Sequence, residues 1–412
     1  MPGISPTPNP RPRLRSPFVA LLCLAAFVPL ACAPGDSTPA EPEPSPLADL
    51  GPGWNPIEPG GETTCSDGSP YRFFVRVGDH DKLMVYLQGG GGCWTGETCD
   101  PDGRPTYKRV ADTELRSAAG TAPEEGTLHG VFAFGHPENP FAGYSVVLVP
   151  YCTGDVHLGA TVASYTAPAG TTSEGEEHPE HEVAVHHKGW VNGQAALAWT
   201  AEHFAEPETV FVTGSSAGAI PSPVYARQLA ETYPGARVVQ LGDGAGGYRN
   251  LGQAQPHAPW AALDALSSRY PEFGSIATET FSFEALYTTT GKAAPTIQLA
   301  RYDTAEDETQ IAFLRIAQNQ AESLQPLLDA NEADIDAAIS NYVSYVAPGT
   351  VHTILLRPEL YSYEVNGVRF RDWLAALAAG EPVEDVHCGV CDQPPAPVQE
   401  TAPATATAGS GG

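Results

Sequence analysis

The chain has 412 residues, with 49 acidic side chains against 21 basic ones and a formal net charge of −28. Nucleic acid and anionic membrane surfaces both need a basic footprint, so neither is expected as a main partner. The length accommodates one large domain or two ordinary ones.

Arg11, Arg13 and Arg15 precede an apolar run from Phe18 to Leu30. That run is shorter than the roughly 20 apolar residues of a membrane-spanning helix and fits an export signal. Pro29-Leu30-Ala31-Cys32 resembles a bacterial lipobox, with Pro29 where an aliphatic residue is usual. Residues 1–32 are therefore expected to be a lipoprotein signal, with Cys32 lipidated at the mature N-terminus. Cleavage of an ordinary secretory signal nearby is the alternative. Either way the chain leaves the cytoplasm, and its contact with a membrane would be through the lipid alone. Residues 33–53 are rich in Pro, Ala, Glu and Ser and read as a disordered linker; residues 393–412 read as a disordered tail. One folded domain, 54–392, remains, and a monomer is expected.

Within it, Phe73–Val77, Leu83–Leu87, Val146–Val149, Val210–Val212, Val238–Leu241, Ile297–Ala300 and Thr353–Leu356 read as strands. Helical periodicity marks Val191–Phe204, Pro221–Thr232, Ala305–Ala317, Ala330–Tyr345 and Phe370–Ala379. The alternation predicts an α/β fold: helices on both faces of a mostly parallel sheet. Residues 101–140 and 167–182 are polar loops. Residues 250–290 carry Trp260, Tyr270, Phe273, Phe281, Phe283 and Tyr287 and could form a cap over a site, or pack peripherally.

Six cysteines follow the signal: Cys65, Cys93, Cys99, Cys152, Cys388 and Cys391. In an oxidising compartment three disulfides are expected. Cys93–Cys99 and Cys388–Cys391 could close local loops, which would leave Cys65 for Cys152. Zinc at Cys388-Gly-Val-Cys391 is disfavoured because no second matching pair exists. His178, His181, His186 and His187 cluster, but His181–His186 has one residue too many for a His-Glu-x-x-His helix. A solvated loop leading into a short strand is the expectation there, and no metal or cofactor is assigned.

The strand Val210–Thr213 runs into Gly214-Ser215-Ser216-Ala217-Gly218 and then a helical segment. Glycines on either side permit a strained strand-to-helix turn that exposes a serine oxygen. Ser216 is thus a candidate nucleophile, with the amide of Ala217 aimed at a developing oxyanion. Leu83–Leu87 ends at Gln88 and four glycines, Gly89 to Gly92, so Gly90 or Gly91 could supply a second amide donor. No Gly-Lys-Ser/Thr follows, which argues against a phosphate loop. Asp243 and Asp303 both end strand-like runs, and His257, His352 and His387 lie downstream. Position leaves these acids and bases open. Asp155 and His157 follow a strand and could line a pocket or form a turn.

Cys65-Ser66-Asp67-Gly68-Ser69-Pro70, Leu87–Cys93, Pro150-Tyr151-Cys152 with Asp155, Gly214–Gly218 and Leu241-Gly242-Asp243 resemble, in order, the pectin acetylesterase and Notum carboxylesterase family. The resemblance implies an α/β-hydrolase fold and a serine carboxylesterase with Ser216, Asp303 and His352 as its triad, His387 being the reserve base. Asp243 matches a family position near the site other than the triad acid. The implied substrate is an O-acetylated extracellular polysaccharide such as pectin. A long-chain acyl or lipid esterase and a catalytically silent carbohydrate-binding protein are the alternatives. Gln88 stands where the family usually has Glu, Gly91 and Gly92 where Notum has aromatics, and Ala219 where the serine motif commonly has Gly.

Overall fold

The computed structural model describes residues 46–109, 128–172, 174–249, 251, 255–389 and 391. The expected signal with Cys32, most of the linker and the tail lie outside them. The strands are β1 (Trp54–Ile57), β2 (Phe73–Arg76), β3 (Asp79–Leu87), β4 (Tyr144–Val149), β5 (Thr161–Ala167), β6 (Gly170–Thr171), β7 (Glu177–His178), β8 (His181–His187), β9 (Thr209–Ser215), β10 (Arg237–Asp243), β11 (Leu299–Thr304), β12 (Tyr342–Ala347), β13 (Glu364–Val365), β14 (Val368–Arg369) and β15 (Val386–His387). The helices are α1 (Gly96–Cys99), α2 (Gly189–His203), α3 (Ser222–Thr232), α4 (Ala262–Arg269), α5 (Glu284–Ala293), α6 (Glu308–Ile316), α7 (Gln325–Ala338) and α8 (Phe370–Ala379).

Nine strands form one sheet in the order β1-β2-β4-β3-β9-β10-β11-β12-β15. Pairing is parallel from β4 through to β15 and antiparallel only where β1 meets β2 and β2 meets β4. Parallel strands need both faces covered, and β4, β9 and β11 are buried along their whole length. On one face Leu83, Val85, Leu87, Val210 and Val212 pack with Leu197 of α2, Val224 and Leu229 of α3, Leu266 of α4 and Leu286 of α5. On the other, Met84, Tyr86, Phe211, Val239 and Leu241 pack with Phe370, Trp373, Leu374 and Leu377 of α8. The alternation of odd and even positions along β3 assigns each side chain to its layer. This is the expected α/β-hydrolase architecture.

Three expectations need correction. Leu47 is buried in the main core and Pro46–Asp49 form a 3-10 turn, so ordered chain begins before residue 54. The helix expected at Ala330–Tyr345 stops at Ala338, and Tyr342–Ala347 is a strand: its β-branched and aromatic residues fit the gap beside β11. Thr353–Leu356 is loop, because the amides of Ile354 and Leu355 bond the Asp243 carboxylate instead of a neighbouring strand.

Segment 255–293 holds α4 and α5 between β10 and β11, and Trp260, Tyr270, Phe273, Phe281, Phe283 and Tyr287 are all buried. The indole of Trp260 donates to the Cys93 carbonyl at 2.7 Å, which ties this segment to the glycine loop. The polar stretch after Cys152 builds two antiparallel hairpins, β5 with β8 and β6 with β7.

Three disulfides close: Cys65–Cys152, Cys93–Cys99 and Cys388–Cys391. The first spans 87 residues and the last 3. Cross-linking removes more unfolded-state entropy when the closed loop is longer, commonly about 2–4 kcal/mol for a long one. Replacing Cys65 and Cys152 together by Ala should therefore lower Tm clearly more than replacing Cys388 and Cys391. Equal shifts in calorimetric melts of the two double variants would contradict this ordering.

Candidate active site

β9 delivers its last residues to the carboxyl edge of the sheet, where Ser216 adopts a left-handed conformation with φ of 54°. A Cβ at Gly214 would lie 2.4 Å from the Gly218 carbonyl, and one at Gly218 would lie 2.0 Å from the Leu87 carbonyl. Only glycine lets the turn pack on itself and on β3 this closely. Ser216 opens a 3-10 turn, Ser216–Gly218, and α3 begins four residues beyond it, at Ser222. Ser216 is half-buried and lines a pocket with Gly91, Gly92 and Ala217.

The glycine loop lies against this turn. The Gly92 amide donates to Thr106 O and the Cys93 amide to Gly154 O, while Gly90 O accepts from Lys108. Those bonds hold the loop and leave the amides of Gly90 and Gly91 without a bond among the described residues. Gly91 lines the pocket, and Gly90 lies behind it against Tyr151.

His352 sits on the loop after β12, at the same edge. Its Nδ1 lies 2.6 Å from Asp307 Oδ2. Its Nε2 is buried and has no hydrogen-bond partner among the described residues. Burial pushes this imidazole down, but the bond to Asp307 and the charges of Asp307, Asp243 and Asp303 outweigh that and hold it above the ordinary histidine value.

The acid beside His352 is thus Asp307, not the expected Asp303. Asp303 lies within β11, where it pairs with Arg301 at 2.8 Å and accepts from the Gly246 amide and Gln310 Nε2, both at 2.8 Å. Its carboxylate is committed to these partners, and burial lifts its pKa to about 6 against the lowering pull of Arg301. Asp307 lies past the strand end, close enough for the His352 loop to reach it. It is also the N-cap of α6: Oδ1 accepts from the Thr309 and Gln310 amides at 2.9 and 3.1 Å. Gln310 Nε2 donates to both Asp303 and Asp307 and fixes one carboxylate relative to the other. The signal was present in the sequence. An Asp followed three residues later by Gln, ahead of an apolar run, marks a helix N-terminus.

None of the three expected pocket-lining residues reaches the pocket. Asp243 is fully buried: it accepts from Ser215 Oγ at 2.6 Å and from the amides of Ile354 and Leu355. Asp155 accepts from Thr153, from the His157 amide and from the Gly189 amide. His157 Nε2 bonds Gln88 O at 2.8 Å, just before the glycines. All three hold the loops that frame the site. His387 is occupied by Ser344 at 2.7 Å and Glu332 at 2.9 Å, and His257 by Thr278 O.

A serine on a left-handed turn after a parallel strand, and a His–Asp pair at the ends of the neighbouring strands, define an α/β-hydrolase. Residues 59–259 match the family model described as Pectinacetylesterase, a likeness that supports carboxylic-ester hydrolysis. The match takes in the glycine loop and Ser216 and ends before Asp307 and His352. No curated protein matches the chain.

A base acts only when neutral, so the raised pKa of His352 places the acid limb of kcat/KM above pH 6.5, the ordinary histidine value. Asp307→Asn should move that limb to lower pH and reduce kcat by roughly 10²–10⁴. Asp303→Asn should leave the limb in place and retain far more activity per folded molecule. A pH–rate profile in which Asp303→Asn, and not Asp307→Asn, displaces the limb would restore Asp303 as the acid.

Proposed function

We propose that the protein is a serine carboxylesterase that removes O-acetyl and other short acyl groups from an extracellular polysaccharide such as pectin, with Ser216, His352 and Asp307 as its triad. The observation that carries this reading is the His352 imidazole, tied to Asp307 through Nδ1 with its buried Nε2 left unpartnered at the sheet edge that carries Ser216.

In this reading Nε2 takes the Ser216 proton as Oγ attacks the ester carbonyl. Asp307 holds the imidazole tautomer and stabilises the imidazolium. The amide of Ala217 and that of Gly90 or Gly91 receive the oxyanion. His352 returns the proton to the leaving alkoxide, and the acyl group stays on Ser216. Water, deprotonated by the same imidazole, then releases the acid and frees the serine. No step calls on a metal or cofactor. Three disulfides fit work outside the cytoplasm, and a lipid on Cys32 would hold the enzyme at the envelope. The charge of −28 keeps it from nucleic acid.

A second reading, a longer-acyl esterase, draws on the pocket wall. Beside Ser216 stand Trp94, Ile220, Tyr248, Trp260, Phe283 and Phe313, several of them from the segment around α4 and α5. That segment covers the pocket as a cap would, and its lining is apolar. Each methylene such a wall receives contributes about 0.8 kcal/mol.

A series of nitrophenyl esters from two to sixteen carbons, kept below micelle formation, separates the readings. The expected maximum of kcat/KM falls between acetyl and butyryl; a maximum at eight carbons or longer would promote the longer-acyl reading. Ser216→Ala and His352→Ala should each lower turnover by roughly 10³–10⁶. Ser216→Ala with near-normal turnover would reject the nucleophile, as would failure of a fluorophosphonate to label the protein.

A further inference from the structure

Away from Ser216, β7 ends at His178 and β8 begins at His181, so two imidazoles flank the tight turn Pro179–Glu180. Both are directed at one carboxylate. His178 Nε2 lies 3.6 Å from Asp100 Oδ2, and His181 Nε2 lies 3.2 Å from Asp100 Oδ1. Asp100 is 3% exposed and directly follows α1, where the Cys93–Cys99 disulfide anchors it.

The opposite ring nitrogens explain what faces Asp100. His178 Nδ1 and His181 Nδ1 lie 3.3 and 3.1 Å from the same acceptor, the Pro179 carbonyl. A carbonyl only accepts, so in a neutral ring the proton sits on Nδ1 and Nε2 carries a lone pair. Two lone pairs then converge on a carboxylate, an arrangement that repels itself unless protons on the rings or a metal cation lie between them; the Pro179 carbonyl and the Asp100 charge raise the pKa of His181, and the same charge attracts a metal ion. His181 Nε2 is buried and makes no hydrogen bond among the described residues, despite its nearness to Asp100.

We propose that Asp100, His178 and His181 bind a divalent transition-metal ion of the zinc class. A tetrahedral ion with bonds of about 2.0–2.2 Å holds its ligand atoms about 3.3–3.6 Å apart. Each imidazole lies at about that distance from one of the two Asp100 oxygens, 3.6 Å for His178 and 3.2 Å for His181, and one ligand atom from each of the three residues lies within 4.8 Å of the others. The Nδ1–H bonds to Pro179 O are the outer partners that fix the tautomer of a metal-bound histidine. Asp102 Oδ2, 3.7 Å from His181 Nε2, stands near a fourth position that water could otherwise fill. Mixed imidazole and carboxylate donors favour zinc over magnesium or calcium, which take oxygen ligands.

The ion is structural. It staples the hairpin arms β6–β7 and β5–β8 to the disulfide loop that carries Trp94 and continues from Gly91 and Gly92 of the pocket. It takes no part in proton transfer at His352.

The test uses the mature full-length protein, stripped with EDTA and dialysed. Zinc sulfate is titrated calorimetrically and the thermal melt is recorded with and without the ion. One zinc per chain should bind and raise Tm by at least about 3 °C, since a ligand selective for the folded state stabilises it by mass action. Magnesium sulfate should do neither. Affinity should fall at least tenfold between pH 7.5 and 5.5, because protons compete for both imidazoles. His178→Ala/His181→Ala, and separately the milder His181→Gln, should abolish the zinc-dependent shift, each being checked for folding by circular dichroism. His387→Ala, beside the Cys388–Cys391 pair, should bind zinc as the parent does. Absence of zinc binding to the parent overturns the site, as does zinc binding that survives the double substitution or disappears with His387→Ala.

Discussion

The carboxylate of Asp243 joins two loops that must meet for the site to exist. It accepts the hydroxyl of Ser215, which precedes Ser216, and the amides of Ile354 and Leu355, which follow His352. Burial pushes Asp243 up to about 6, and its donors offset part of the desolvation. Tyr86 adds a hydroxyl contact to Ser215 at 2.7 Å, so β3, β9, β10 and the His352 loop converge on one group. A left-handed non-glycine residue costs of order 1–3 kcal/mol and persists only where its surroundings over-determine it. At Ser216 those surroundings are the Asp243 network below and the Gly214 and Gly218 contacts with β3 beside it.

Asp307 links function to stability in a second way. One oxygen satisfies the first amides of α6 and the other orients His352. A carboxylate on a flexible loop would pay side-chain entropy each time it held the imidazole. As an N-cap it is already fixed by the helix, and the helix is fixed by Ile311 and Leu314 in their own cluster with Val346. Phe313 of the same helix reaches the pocket beside Gly91. Acid, pocket wall and cap thus rest on elements whose positions are set by packing.

Much of this was legible from residue order alone. The turn at Ser216 is local: two glycines at fixed offsets after a β-branched run admit few structures. The sheet was equally readable, since β4, β9 and β10 are short apolar runs with turn residues on either side. What escaped was tertiary. Asp303 ends a strand-like run and looks like an acid, yet buried Arg301 two residues away claims it. Asp155, His157 and Asp243 flank the right loops and carry the right chemistry, but their side chains turn inward to hold backbone amides and carbonyls. Thr353–Leu356 has strand composition and no neighbouring edge to join. Apart from the Arg301–Asp303 pair, each error traded a local pattern for a partner far along the chain.

The position of β3 has a consequence for how the polypeptide reaches this state. The strand lies at the middle of the sheet, yet both its partners, β4 and β9, are made long after it, and the Cys65–Cys152 bridge likewise waits for a distant cysteine. Such non-local pairing makes for slow folding, because loop closure must be paid before any contact rewards it. During that interval the apolar edge of β3 stays open to other chains.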